Sequence, residues 1–284
     1  MSQFARKGRA AESVRYSPLD RRPEHRTVVS GVLSNTPPAG TDTPKRDWLQ
    51  RTTVRAIVTM RWLDLLFAHW RVEPETVDRR LPDGVTVDTY ETDAYLGVVP
   101  FVMDDIRLTG VPIGLSFGEL NLRTYVTVDG RPGVYFFNLD ADDFLGVAIA
   151  RSLFRLPYYR ATMEIETRGS GTDRTVWFRS RRRTSGAPAA RFDGRYGPDG
   201  SFRTPDPDSL EAFLTQRYRF YTADARERLY YGDIDHEPWR LAPAWAEIEA
   251  NGLFRANDFD EPEGEPLLSF GRSIDVRASR IRRQ

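Results

Sequence analysis

The chain has no cysteine. That excludes disulfides, thiolate nucleophiles and Cys-ligated metal or iron–sulfur centres together. Lysine is nearly missing too: Lys7 and Lys45 are the only two, so 39 of the 41 basic residues are arginine. No lysine amine is therefore available after residue 45 to attack a carbonyl. Acidic and basic residues balance at 41 each, so the chain lacks the polycationic signature of a nucleic-acid binder. It has no run of about 18 apolar residues, and no membrane span is expected. The N-terminus lacks the apolar core of a secretory signal. A cytoplasmic protein is the default expectation.

What is present suits a large β domain. The hydrophobic fraction is 40%, with 12% aromatics, in 284 residues, enough for a sizeable core. Residues 1–50 carry five prolines, nine basic residues and five acidic ones, without a periodic apolar pattern. They read as a disordered basic arm, and residues 51–284 as one folded domain.

The stretch 115–160 dominates the pattern. Its first strand alternates strictly: Leu120, Leu122, Thr124, Val126 and Val128 share one face, and Glu119, Asn121, Arg123 and Tyr125 the other. That polar row is either a solvated face or the wall of a pocket. A second strand at 133–139 follows the turn Asp129-Gly130-Arg131-Pro132. Asp142 or Asp143 then caps an expected helix carrying Phe144, Val147, Ala148 and Leu153, which Leu156-Pro157 ends.

Elsewhere, Thr53–Met60 reads as a strand. Arg61–Arg71 reads as a helix with Trp62, Leu65, Leu66 and His69 on one face. A short helix follows Pro74, and Leu-Pro-Asp-Gly at 81–84 is a turn. Val85–Tyr90 and Ala94–Met103 suggest a hairpin. Strands are expected at 159–168 and 174–182, with another pair around Gly194–Gly200. A helix should open at Asp206-Pro207, with Leu210, Phe213 and Leu214 buried. A further hairpin joins Arg217–Tyr221 to Arg228–Asp233. Pro243–Ala250 suggests a short helix, and residues 267–277 close the sheet. Short connections imply a mixed-to-antiparallel sheet that curls into a barrel or splits into two packed layers.

The residues also resemble a known family. Trp62…Phe67-x-His69-Trp70, Val99-Pro100-Phe101 and Glu119-Leu120-Asn121-x-Arg123-Thr124-Tyr125-Val126 carry the likeness. So do Gly133-Val134-Tyr135-Phe136-Phe137, Ala150-Arg151…Leu156-Pro157-Tyr158, Arg217-Tyr218 and His236-x-Pro238-Trp239. In one order over roughly residues 55–277, they resemble the uncharacterised YqjF-like family. The resemblance implies an acetoacetate-decarboxylase-like fold: mainly β, an antiparallel barrel or cone around a cavity, with a few short peripheral helices. In the decarboxylase branch an arginine is followed six residues later by proline and then by the Schiff-base lysine. Here Arg151 and Pro157 keep that spacing, but Tyr158 stands at the lysine's place and Tyr159 follows. A phenol cannot form an iminium, so lysine-dependent decarboxylation is excluded. The likeness also places Glu119 near carboxylates that line the decarboxylase pocket.

Each candidate has a bland reading beside the sharp one. Glu119 and Arg123 either form a buried structural ion pair or offer a base and a carboxylate anchor to a ligand. Asn121 and Tyr125 flank them as ligand contacts. Tyr158 either fills the space left by lysine or, beside Arg151, donates a proton. His69 reads first as a buried histidine satisfied by the backbone, and is kept as a ligand contact. His236 has no second histidine nearby, so no metal is expected, and no motif asks for a cofactor. Arg179-Ser180-Arg181-Arg182-Arg183 is a solvated strand end or a phosphate contact.

The expected partner is a small organic acid or carbonyl compound. The chemistry would be non-covalent acid–base catalysis of lyase, isomerase or cyclase type, with Glu119 and Tyr158 catalytic. The alternatives are a non-enzymatic binding or structural protein on the same fold, and a scaffold acting through the arm. Open sheet edges leave room for a homodimer.

Overall fold

The computed structural model describes the backbone of strand β1 (Val29–Ser30) and residues 55–142, 155–224 and 226–284. The expected helix after Asp142, Arg151 and nearly all of the basic arm lie outside the described residues. β1 pairs antiparallel with β12 (Leu241–Asn251).

The backbone of the fold is a wall of five long strands. β2 (Ala56–Val72), β4 (Ala94–Leu108), β5 (Leu115–Val128), β6 (Arg131–Ala141) and β13 (Leu267–Ser279) lie in the order β13-β2-β4-β5-β6. β7 (Tyr158–Arg168), β8 (Thr175–Arg182), β9 (Arg191–Pro198) and β12 close that wall into a nine-stranded barrel. On the wall's other face, β10 (Arg219–Ala223) and β11 (Leu229–His236) bridge β6 to β13 and complete a second, smaller ring. Pairing is antiparallel except where β6 meets β7 and β10.

A wall shared by two rings is buried on both faces. Leu66, Ala68, Leu96, Val98, Leu120 and Leu122 pack into the larger barrel against Phe178, Phe192, Tyr196 and Phe270. Leu65, Phe67, Val99, Phe101, Phe117 and Leu139 point the other way, toward Phe220 and Trp239. Two bulges set which residue faces which core. Asp64 (φ 54°) and Asp105 (φ 51°) adopt left-handed backbone where the β2–β4 and β4–β5 registers shift. Each extra residue flips the alternation. Asp64 is held by the Arg174 guanidinium, with Nε to Oδ1 at 3.0 Å. Short Asp is among the non-glycine residues that best tolerate this conformation.

Local chemistry explains the connections. Asp129 (φ 49°) and Gly130 (φ 72°) make the two-residue turn between β5 and β6, a sequence that suits type I′ geometry. α1 (Pro74–Asp78) begins at Pro74, and α2 (Leu210–Thr215) is capped by Ser209, whose hydroxyl accepts the Ala212 N–H. No helix among the described residues is long and apolar enough to cross a membrane. Three short two-residue strands complete the set: β1, β3 (Thr86–Val87) and β14 (Arg282–Arg283).

Several expectations need correction. Residues 61–71 are strand, not helix: they form most of β2. The Asp64 bulge and burial on both faces erased the alternation that marks a strand. Residues 243–250 are likewise strand, within β12; its alanines and glutamates favour helix, but pairing with β9 overrides that weak preference. Val85–Tyr90 does not pair with β4; the short β3 pairs with β5. Residues 194–200 do not separate two strands, because β9 runs through Gly194. The strands at 115–141, 158–182 and 219–236, and the helix carrying Leu210, Phe213 and Leu214, fall where expected.

Candidate functional site

The smaller ring encloses a cavity of about 100 Å³. At about 30 Å³ per water in the liquid, that suits a small organic molecule. Its wall is largely aromatic and aliphatic, with Trp62, Phe67, Met103, Phe136, Phe220 and Trp239 prominent. Into this apolar lining project Glu119, Arg123, Tyr158, Arg217, Arg219 and His236. Few polar groups converging in an apolar cavity is the usual makeup of a ligand site. A roomier open groove of about 560 Å³ runs between β12 and β13, with Trp70, Asn251 and the exposed Glu249 and Glu265 on it. It holds no comparable set of buried titratable groups, so we place the site in the smaller ring.

β5 supplies the first two polar groups on its cavity face. Glu119 is 3% exposed. Its Oε2 accepts the Tyr158 hydroxyl at 2.6 Å, and its Oε1 accepts Asn121 Nδ2 at 3.3 Å. Loss of water pushes this carboxyl up to about 7; the two donors and the nearby Arg123 charge oppose the rise without cancelling it. Tyr158 sits at the first position of β7, beside Leu139 of β6. Burial, then the neighbouring carboxyl, raises its phenol well above 10. The pair is thus a neutral phenol donating to a carboxyl poised to exchange a proton near neutrality.

Arg123 is fixed from behind. Its Nη2 donates to the Leu214 carbonyl at 3.2 Å, and its guanidinium lies 5.3 Å from the Phe67 ring centre. The same carbonyl, orphaned at the end of α2, accepts the Tyr125 hydroxyl at 2.5 Å. Having donated that proton, Tyr125 accepts from His69 Nε2 at 2.6 Å. His69 is therefore the Nε2–H tautomer. Burial, then Arg123, holds its pKa well below 6.5. His69, Tyr125 and Asn121 stand behind the cavity wall, orienting Arg123 and Glu119. Of the two readings of Glu119 and Arg123, the ion pair is not made: Glu119 takes only neutral donors among the described residues, and Arg123 Nε is buried without an acceptor. Trp62 Nε1 and Arg219 Nη1 are also buried donors without acceptors.

Sequence reasoning missed the opposite side of the cavity. Arg217 pairs with Asp88 at 2.8 Å, and Arg219 with Asp233 at 2.7 Å. His236 packs on Tyr218, with ring centres 4.7 Å apart, and near Trp239 at 5.6 Å. The Arg-Tyr-Arg run at 217–219 and the His-x-Pro-Trp segment were visible, but nothing local says that β10 and β11 return across β5. The arginine run at 179–183 splits by alternation: Arg181 and Arg183 are exposed. Arg182 is buried against Asp140 at 2.7 Å and under Tyr159 at 4.0 Å. Among the described residues, no group of three or more His, Asp or Glu side chains is placed to hold a metal ion.

Comparisons with known proteins fit this architecture. Residues 59–275 match the family DUF2071, described as an uncharacterized conserved protein. The chain is 40% identical over 236 residues to the uncharacterized protein YqjF of Bacillus subtilis, covering 82% of this chain and 91% of that one. In structure it is similar to the enduracididine biosynthesis enzyme MppR complexed with pyruvate, with TM-score 0.56 and 15% identity, covering 81% of this chain and 91% of MppR. It is also similar to acetoacetate decarboxylase from Legionella pneumophila, with TM-score 0.54 and 13% identity, covering 89% and 98%. The long shared stretch with YqjF and the match across the barrel leave one conclusion: the chain belongs to the DUF2071, YqjF-like family, built on the acetoacetate-decarboxylase-like fold.

Proposed function

We propose that the chain is a cofactor-free enzyme whose cavity, in the smaller ring, takes a small organic acid or carbonyl compound and moves a proton on it, in a lyase, isomerase or cyclase type of step. The observation that carries this reading is the buried Tyr158–Glu119 pair, 2.6 Å apart on the cavity wall with its carboxyl near 7. A general base works best with a pKa near the working pH. Tyr158 donates a hydrogen bond or a proton to the substrate carbonyl, Glu119 removes a proton from carbon, and Arg123 anchors a carboxylate. An iminium route lacks its nucleophile, since no lysine follows residue 45. The pyruvate named for MppR supports the size and class of ligand.

The test is exchange of the methyl protons of pyruvate and the methylene protons of acetoacetate in D2O, followed by NMR. Wild type should accelerate exchange for at least one acid. Glu119→Gln should lose about 10²–10⁴-fold, the usual worth of a positioned general base. An unaccelerated wild type, or an undiminished Glu119→Gln, would reject the reading and favour a non-enzymatic binding or structural role on the same fold.

A further inference from the structure

We propose that the cavity's ligand is a small monoanion seated with its carboxylate against Arg123, and that each anion bound brings one proton into the site, onto Glu119. The inference rests on the cavity being a ligand site, but it does not require turnover. It starts from how charges are matched around the ring. Arg217 has Asp88 and Arg219 has Asp233. Among the described residues Arg123 makes no ion pair; it donates to the Leu214 carbonyl, and its Nε–H is buried without an acceptor. Among the described residues Glu119 makes no ion pair either, and accepts only from Tyr158 and Asn121. One cation and one carboxyl are therefore left over on the same face of β5. They lie four positions apart, about 13 Å along the strand. Each is instead claimed by other groups, Glu119 by Tyr158 and Asn121 and Arg123 by the Leu214 carbonyl, and both line the same cavity.

An anion docked on Arg123 changes what Glu119 experiences. The Arg123 charge by itself favours the carboxylate form of Glu119. A ligand carboxylate cancels that influence and adds a second negative charge in a site lined mostly by apolar side chains. Two such carboxylates do not both stay ionised, and one takes a proton. The other groups facing Glu119 do not compensate. Directly opposite stand Phe101 on β4 and Ala141 on β6. Asp142 Oδ1 accepts the Gly118 N–H. Tyr158 on β7 is a neutral donor. Across the cavity Arg217 and Arg219 are held by their own aspartates, and His236 holds Nδ1 at 2.7 Å from the Glu237 carbonyl.

Isothermal titration calorimetry with pyruvate, acetoacetate and benzoate reads this directly. Each acid is titrated into the full chain in phosphate and in Tris, and the buffer dependence of the heat counts protons. At pH 8, where Glu119 is mostly ionised, uptake should approach one proton per ligand. At pH 6, where it already holds the proton, uptake should fall toward zero. Affinity should drop close to tenfold per pH unit above 7, and Glu119→Gln should bind with no uptake and little pH dependence. Arg123→Met should weaken binding at least tenfold. Binding with no proton uptake, or uptake that persists in Glu119→Gln, would overturn the inference while leaving a ligand site in place. Failure of all three acids to bind would overturn the inference together with the ligand class beneath it.

Discussion

Glu119→Gln should make the folded protein more stable, by an amount that grows from nothing near pH 4.5 to its full value above pH 7. The carboxyl rises from an ordinary 4.5 to about 7 on folding, chiefly because it leaves water. The folded chain therefore keeps a proton that the unfolded chain releases between those values. Where the unfolded state binds fewer protons, stability falls as pH rises. At about 1.4 kcal/mol per pH unit, the loss between pH 4.5 and 7 is about 3 kcal/mol. Glutamine has no proton to lose and fits the site. Its Oε1 can accept the Tyr158 hydroxyl, and its amide can donate to Asn121 Oδ1, which is buried without a partner. We expect wild type and variant to be nearly equal at pH 4.5 and the variant to gain roughly 1–3 kcal/mol at pH 8. That is a rise in Tm of roughly 2–6 °C for a chain of this size. Urea titrations at both pH values measure it. Equal destabilisation at both, or a gain only at low pH, would refute a desolvated and unpaired Glu119.

Two further substitutions test the scaffold behind the site. Asp140→Ala strands a guanidinium whose side chain is 2% exposed and should cost about 3–5 kcal/mol in urea unfolding, whereas Asp140→Leu with Arg182→Met should recover most of it; a mild single variant, or a double variant worse than the single, would contradict a fully buried pair. Gly97→Ala puts a Cβ 2.8 Å from His69 Cδ2 and should cost about 1–3 kcal/mol by overpacking. It should also weaken carboxylate binding by calorimetry as the His69–Tyr125 support of Arg123 shifts, and an unchanged affinity would show that Arg123 does not depend on that support.

Much of the site was legible because its residues are polar where their strand neighbours are not. Glu119, Asn121, Arg123 and Tyr125 alternate against Leu120, Leu122 and Thr124, and a period of two needs no tertiary information to be read. Tyr158 was legible by where it stands after Pro157. The Asp129-Gly130 turn fixed one hairpin through backbone geometry alone. What stayed hidden depends on long-range return. Arg217, Arg219 and His236 reach the cavity only because β10 pairs in parallel with β6 and β11 pairs with β13. Neither contact leaves a trace in the local pattern of 217–236. The missing Glu119–Arg123 pair was hidden for another reason. Sequence spacing gives the shared face, but not that Tyr158 and Leu214 claim the two side chains first.

The misread helix at 61–71 and the cavity have one physical cause. A strand in a wall between two cores buries both of its faces, so Leu65, Leu66, Phe67, Ala68, His69 and Trp70 form an unbroken buried run, apolar but for His69. Such a run cannot be told from a buried helix by period alone. The Asp64 bulge then places Trp62 and Leu65, three apart, on the same side, which imitates helical spacing. That same flip of face aims Met60 and Trp62 into the smaller ring together with Phe67. Without the extra residue, an unbroken alternation from Phe67 would direct Met60 and Trp62 away from the cavity and remove the Trp62 N–H from its wall. The feature that defeats the periodic reading of β2 is thus the one that builds the upper part of the site.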